Sequence, residues 1–208
     1  MQGVVPAYWS RARRALARRD SVLASIIRTH PDATLHGRGD AFRTLSRSVV
    51  GQQISVKAAD TVWQRLSEAL IEVRPQPMLE AGAARLQRCG LSGRKTEYLL
   101  GLAGHFAAGT VNPSHWASLD DEAVIEQLTS LRGVGRWTAE MVLIFGLLRP
   151  NVLPLDDLGL QKAIALRYFS GRRVSPRTMH RLATNWEPWR SVATWYLWRS
   201  LAPVPVEY

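Results

Sequence analysis

A glycine–valine–glycine step at residues 133–135 separates an amphipathic segment from a long apolar one, a pattern that leaves room for little but two helices joined by a tight turn. Gly133 and Gly135 accept backbone angles that other residues resist, and the following helix presents N–H groups with no partner at its start. Those groups, with the positive end of the helix dipole, suit one phosphate. The apolar run stops at Arg149-Pro150, and an acidic pair, Asp156-Asp157, stands just before the next one. A carboxylate there would keep a fixed offset from the cradle. A Gly-x-Gly turn is common by itself, so its weight comes from its surroundings.

Nowhere does a two-residue alternation persist, and the expected fold is all-α. Residues 7–19 read as a helix with Tyr8, Trp9, Ala12 and Leu16 on one side and arginines around the rest. Asp20 and Ser21 are candidate caps for a second helix ending near Pro31, and residues 33–39 carry the turn chemistry of a linker. From Asp40 a helix–turn–helix pair breaks at Gly51-Gln52-Gln53-Ile54, with Ser55 as N-cap of the second helix. Arg74-Pro75-Gln76-Pro77 is expected to stop that helix, with two short helices following over 78–81 and 83–89. Residues 92–95 start another; their N–H groups and two cations are as much a second phosphate contact as a routine helix start. Further helices are expected over 121–130, 136–148, 157–169, 176–186 and 188–200, with Pro188 in a first turn.

The chain has 208 residues, 46% of them hydrophobic, enough for a real core. Its net charge of +10 comes almost wholly from arginine, because Lys57, Lys95 and Lys162 are the only lysines. Arginine richness can reflect genome composition, yet this excess on a small chain favours a polyanion, most simply nucleic acid. One cysteine, Cys89, excludes an internal disulfide and a four-cysteine cluster, and no Cys/His spacing suggests zinc. No apolar run reaches membrane-spanning length. The N-terminus lacks the apolar centre of a secretion signal, and its arginines read as the outer face of a helix in preference to an organelle transit peptide.

Taken together, L-x-G-V-G-x-W-T-A at 131–139 and L-P-L-D-D-L at 153–158 resemble the helix-hairpin-helix DNA glycosylase superfamily, most closely its 3-methyladenine DNA glycosylase II branch. The likeness runs over about residues 40–200 and includes the C-terminal N-W-E-P-W-R-S-V-A-T-W-Y-L-W-R. It implies two helical lobes with a cleft between them, one over 41–154 and the other combining 1–40 with 155–208. The N-terminal β-rich domain of fuller members has no counterpart among the first forty or so residues.

The resemblance also implies roles. Asp157 falls at the catalytic aspartate. An Asp ahead of an apolar helix is first of all a cap, a job that Asp156 or Asp157 would do equally well, so the assignment rests on the hairpin beside it. Breaking an N-glycosidic bond builds positive charge on the sugar, which a fixed carboxylate stabilises while it orients or deprotonates the attacking water. Gln53 falls at the wedge that fills the gap left by an extruded nucleotide, where relatives often carry an apolar residue. Gln52, Ser55, Lys95, Gly133, Gly135, Arg136 and Thr138 join it as implied DNA contacts. Trp137, Met141 and Trp198 are the implied walls of a pocket for a flipped base, where indoles attract the cationic ring of an alkylated purine. Trp186, Trp189 and Trp195 read as core.

Lyase members carry a lysine where Trp137 stands, so the expected activity is hydrolysis alone, leaving an abasic site. No metal or cofactor is expected, although the hairpin backbone could hold a monovalent cation. The expected partner is duplex DNA with damaged bases, bound by a monomer in a bacterial cytoplasm or a nucleus. Competing readings are a glycosylase for uracil or an oxidised purine, a non-catalytic phosphate-clamping hairpin, and a helix-turn-helix regulator that lacks an obvious basic recognition helix.

Overall fold

A computed structural model of the chain describes residues 4–37 and 40–201. Among them are eleven α-helices: α1 (Trp9–Arg19), α2 (Ser21–Thr29), α3 (Ala41–Gly51), α4 (Val56–Leu70), α5 (Pro75–Arg88), α6 (Gly93–Ala107), α7 (Asp121–Thr129), α8 (Arg136–Met141), α9 (Leu158–Tyr168), α10 (Pro176–Ala183) and α11 (Arg190–Arg199). The single β contact among the described residues is an isolated antiparallel bridge between Val4 and Gly37. The expected all-helical class is the observed one. None of these helices is long and apolar enough to cross a membrane.

Local chemistry explains most boundaries. Asp20, Asp40, Ser55, Ser92, Asp120, Asp157 and Ser175 each accept a hydrogen bond from a first-turn N–H of the helix they precede. Pro75 and Pro176 open α5 and α10, where a missing N–H is harmless. The two short helices expected around Gly82 lie end to end within α5, kinked where Gly82 takes φ +67. In three places the sequence misled. The α4 helix ends at Leu70, ahead of the proline cluster, because Ile71 turns left-handed with φ +62. The helix expected over 136–148 is α-helical only to Met141 and widens into a π-helical stretch, Val142–Gly146. All of Met141–Phe145 is buried, so no polar face holds this stretch in α register. Pro188 lies outside α11, which begins at Arg190 after a turn closed by Trp189 N–H on the Trp186 carbonyl.

The described residues form two compact units, 4–37 with 143–201, and 40–142. One boundary therefore lies at 142/143, not at the expected 154/155. Residues 143–154 pack with the C-terminal helices: Phe145 stacks on Trp198, and Ser191 Oγ joins the Arg149 carbonyl to the Val152 N–H. Of the expected linker, residues 38 and 39 lie outside the described residues, and Leu35 is buried.

The first unit is built around Trp9 of α1, which meets Trp195 edge-on and stacks on Tyr196 of α11 at 5.1 and 5.6 Å. Buried Asp20 ties its pieces together, capping α2 through Oδ1 while Oδ2 accepts from Tyr168 Oη and Trp186 Nε1. Burial and that carboxylate push the Tyr168 phenol well above its ordinary range. The second unit packs α3 against α4, α6 and α8 around Leu45, Val49, Leu66, Leu99 and Leu102.

Candidate functional site

In the first unit the candidate carboxylate, Asp157, is only 4% exposed. It caps α9, its Oδ1 accepting the Leu160 N–H at 2.5 Å. The same oxygen accepts the indole Nε1–H of Trp198 at 2.7 Å. Two donors on one oxygen fix the plane and direction of the carboxylate before any ligand arrives, the preorganisation that electrostatic catalysis requires. Phe145 stacks on Trp198 from the side, with centroids 5.9 Å apart. Asp156, next in sequence, is exposed, and so the two carboxylates of the pair are not equivalent.

The close approach of Asp157 and Trp198 depends on Gly159. A Cβ there would stand 3.1 Å from Asp157 Oδ1 and 3.2 Å from Trp198 Cδ1, tighter than ordinary contact. Sequence reasoning passed over Gly159. A glycine two residues after the candidate Asp, in the first turn of a helix that gains nothing from it, was the available signal. Trp198, assigned to a base pocket, is 3% exposed and spends its edge on Asp157 and one face on Phe145.

In the second unit the hairpin forms as α7, a turn over 130–135, and α8. Gly133 takes φ +85, and a Cβ there would overlap the Tyr98 ring, so no other residue fits without displacing Tyr98. Gly135 has ordinary extended angles; it precedes α8 with no side chain capping the helix, and the space where its Cβ would project is open. An uncapped helix start beside open space is what a phosphate oxygen needs.

The other implied DNA contacts are distributed unevenly. Gln53 is exposed in the α3–α4 loop with φ +57, an uncommon conformation for a non-glycine residue. Ser55 is also exposed and caps α4. Gln52 turns inward, its amide nitrogen donating to the Gly133 carbonyl at 3.0 Å and Thr138 Oγ1 at 3.1 Å. Lys95 Nζ donates to the carbonyls of Val50 and Gln52, both at 2.7 Å, and burial pulls its ammonium below the usual lysine value. Thr138 is buried, and Arg136 pairs with Glu122 on α7 and with Glu140. Hydrogen bonding to Arg136 holds the Glu122 carboxyl below the ordinary carboxylate range. Of the implied pocket residues in this unit, Met141 is fully buried and Trp137 half-buried at the start of α8. Among the described residues no group of three or more His, Cys, Asp or Glu is placed to hold a metal.

Comparison with known proteins gives this geometry a context. The model of the HhH-GPD superfamily base excision DNA repair protein matches residues 46–190. The DNA-3-methyladenine glycosylase 1 of Schizosaccharomyces pombe is 32% identical over 77% of this chain and 72% of its own length. A DNA-3-methyladenine glycosylase of Bacillus subtilis is 30% identical over 89% of this chain, which spans 65% of that relative. Among solved structures, the S. pombe 3-methyladenine DNA glycosylase in complex with abasic DNA superimposes with a TM-score of 0.82, at 26% identity, over 95% of this chain and 99% of the other.

Proposed function

Because the chain belongs to the HhH-GPD superfamily of base excision DNA repair proteins, we propose that it binds duplex DNA and hydrolyses the N-glycosidic bond of alkylated purines of the 3-methyladenine kind. The observation that carries this reading is the doubly held carboxylate. Asp157 Oδ1 is fixed by the Leu160 N–H and the Trp198 Nε1–H, which keeps the negative charge in one place as positive charge grows on the deoxyribose. The same carboxylate orients the attacking water or takes its proton. A phosphate-clamping hairpin without catalysis needs no such arrangement.

On this reading the uncapped start of α8 receives a phosphate of the DNA backbone, and Gln53 enters the stack at the vacated position. Trp137 offers an electron-rich indole face to a base whose ring is cationic through alkylation. With an indole where lyase members keep an amine, the enzyme makes no Schiff base and leaves an intact abasic strand. The reaction calls on side chains and water, and the setting is wherever chromosomal DNA is kept, cytoplasm or nucleus.

The test is release of free base from duplexes that each carry one defined lesion, with Asp157→Asn and Asp156→Asn in parallel. Asparagine retains an oxygen for both donors, so Asp157→Asn should melt within about 1 kcal/mol of wild type. Its rate should fall on the order of 100-fold or more, because the charge opposing the sugar cation is gone. Asp156→Asn should stay active. Near wild-type release by Asp157→Asn would reduce Asp157 to a cap, and release of uracil or an oxidised purine alone would reassign the substrate.

A further inference from the structure

The backbone at Gln53 is left-handed, a conformation that a side-chain-bearing residue keeps only where its surroundings impose it. The imposition is visible one residue earlier. The main chain of Gln52 is held by α6, because Lys95 Nζ donates to its carbonyl and to that of Val50 at the end of α3. The side chain of Gln52 is held by the hairpin, through the Gly133 carbonyl and Thr138 Oγ1. The hairpin is in turn seated on α6, where Gly133 lies against the Tyr98 ring. Loop, hairpin and helix thus close a triangle: α6 grips the loop with Lys95 and the hairpin with Tyr98, and Gln52 joins loop to hairpin. Gln53 stands exposed just beyond its corner.

We infer that Gln52 and Lys95 are positioning residues that hold Gln53 turned outward and couple its entry into the base stack to the docking of the hairpin on the DNA backbone. The inference rests on the reading that the hairpin takes a phosphate and Gln53 enters the duplex. A side chain pushed between stacked bases is pushed back. A loop free to relax to ordinary negative φ would fold Gln53 away instead of transmitting the load. Through Gln52 that load passes to the element that grips the phosphate, so depth of insertion and position on the backbone are set together.

The two donors can be removed with little change of volume by Gln52→Leu and Lys95→Met. Lys95→Arg keeps donors in reach of both carbonyls, and Gln53→Ala removes the inserted group. Three measurements on the full chain separate the roles: affinity for an undamaged duplex, fluorescence of 2-aminopurine placed beside an abasic-site analogue, and kcat and KM for base release. Gln52→Leu and Lys95→Met should lower affinity for undamaged duplex by much less than they lower kcat, and should melt as wild type does within a few degrees. They should lose most of the fluorescence rise, as Gln53→Ala does, and drop kcat on the order of tenfold with KM little changed, as expected of a misplaced group remote from the reacting bond. Lys95→Arg should recover both signals. A wild-type fluorescence rise and kcat in Gln52→Leu would overturn the inference. So would an equal loss of undamaged-duplex affinity, which would make Gln52 a direct DNA contact. If the wild-type protein unstacks the abasic duplex and releases no alkylated base, the glycosylase reading fails while the fluorescence arm still decides this one.

Discussion

Gly159→Ala separates the stability of the site from its function. The position is the second residue of α9, where replacing glycine by alanine gains up to about 1 kcal/mol of helix propensity. Against that, the new methyl would stand 3.1 Å from Asp157 Oδ1 and 3.2 and 3.3 Å from Cδ1 and Nε1 of Trp198. Relief requires a shift of a few tenths of an ångström, and overpacking of this kind costs about 1–3 kcal/mol. The two terms nearly offset, so the melting temperature should move by only a few degrees. The rate has no such offset. A misplacement of about 1 Å costs on the order of 100-fold, so a displacement of a third to a half of that should slow base release on the order of 5- to 10-fold. Single-turnover release from an alkylated duplex, measured beside thermal melting and duplex affinity, reads the two effects separately. A variant that melts at or above wild type and releases base at the wild-type rate would refute the claim that the Asp157–Trp198 contact is tuned.

Four further outcomes follow from the geometry. Gly133→Ala forces φ +85 on alanine and a methyl into Tyr98, and should destabilise by about 2–4 kcal/mol and weaken duplex binding; a wild-type denaturation midpoint with wild-type affinity would contradict it. Glu122→Gln frees Arg136 from an exposed ion pair and removes a negative charge beside the hairpin, so affinity for duplex at low salt should rise a few-fold, and a fall in fluorescence anisotropy titrations would count against the phosphate cradle. The same pair gives a pH signature: Glu122 titrates below the ordinary carboxylate range, so its contribution is complete at neutral pH and is lost as pH falls through that depressed value, a dependence that Glu122→Gln should abolish in acid titrations of stability. The product should be free base and a strand cleaved only after alkali, and a borohydride-trapped protein–DNA adduct would overturn the assignment made from Trp137.

The parts of the site visible in the sequence are those written in short-range chemistry. Asp157 before an apolar run, Ser55 after a Gly-Gln-Gln break and Gly133 in a tight turn each announce a backbone event within a few residues, and each occurs. What stayed hidden depends on partners far along the chain. Lys95 reads as an exposed cation at a helix start, yet the carbonyls that absorb it belong to residues 50 and 52. Trp198 reads as a free aromatic wall because nothing local shows that its N–H faces a carboxylate 41 residues away. The π-helical stretch is invisible for a different reason: periodicity marks a helix through its polar face, and Met141–Phe145 has none.

The buried carboxylate of Asp20 sets the order in which the chain can fold during synthesis. Its partners, Tyr168 and Trp186, lie 148 and 166 residues downstream. At a ribosomal pace of about 5–20 residues per second, α1 and α2 wait roughly 7–33 s for the helices that complete their core. Throughout that interval α1 has α2 to pack against, but the side of Trp9 that meets Trp195 and Tyr196 stays uncovered. The unit of residues 40–142 is contiguous and can close as soon as it has emerged. The unit that holds Asp157 is therefore the last to form, and a chain truncated before Trp186 would carry a finished hairpin and an unfinished first unit.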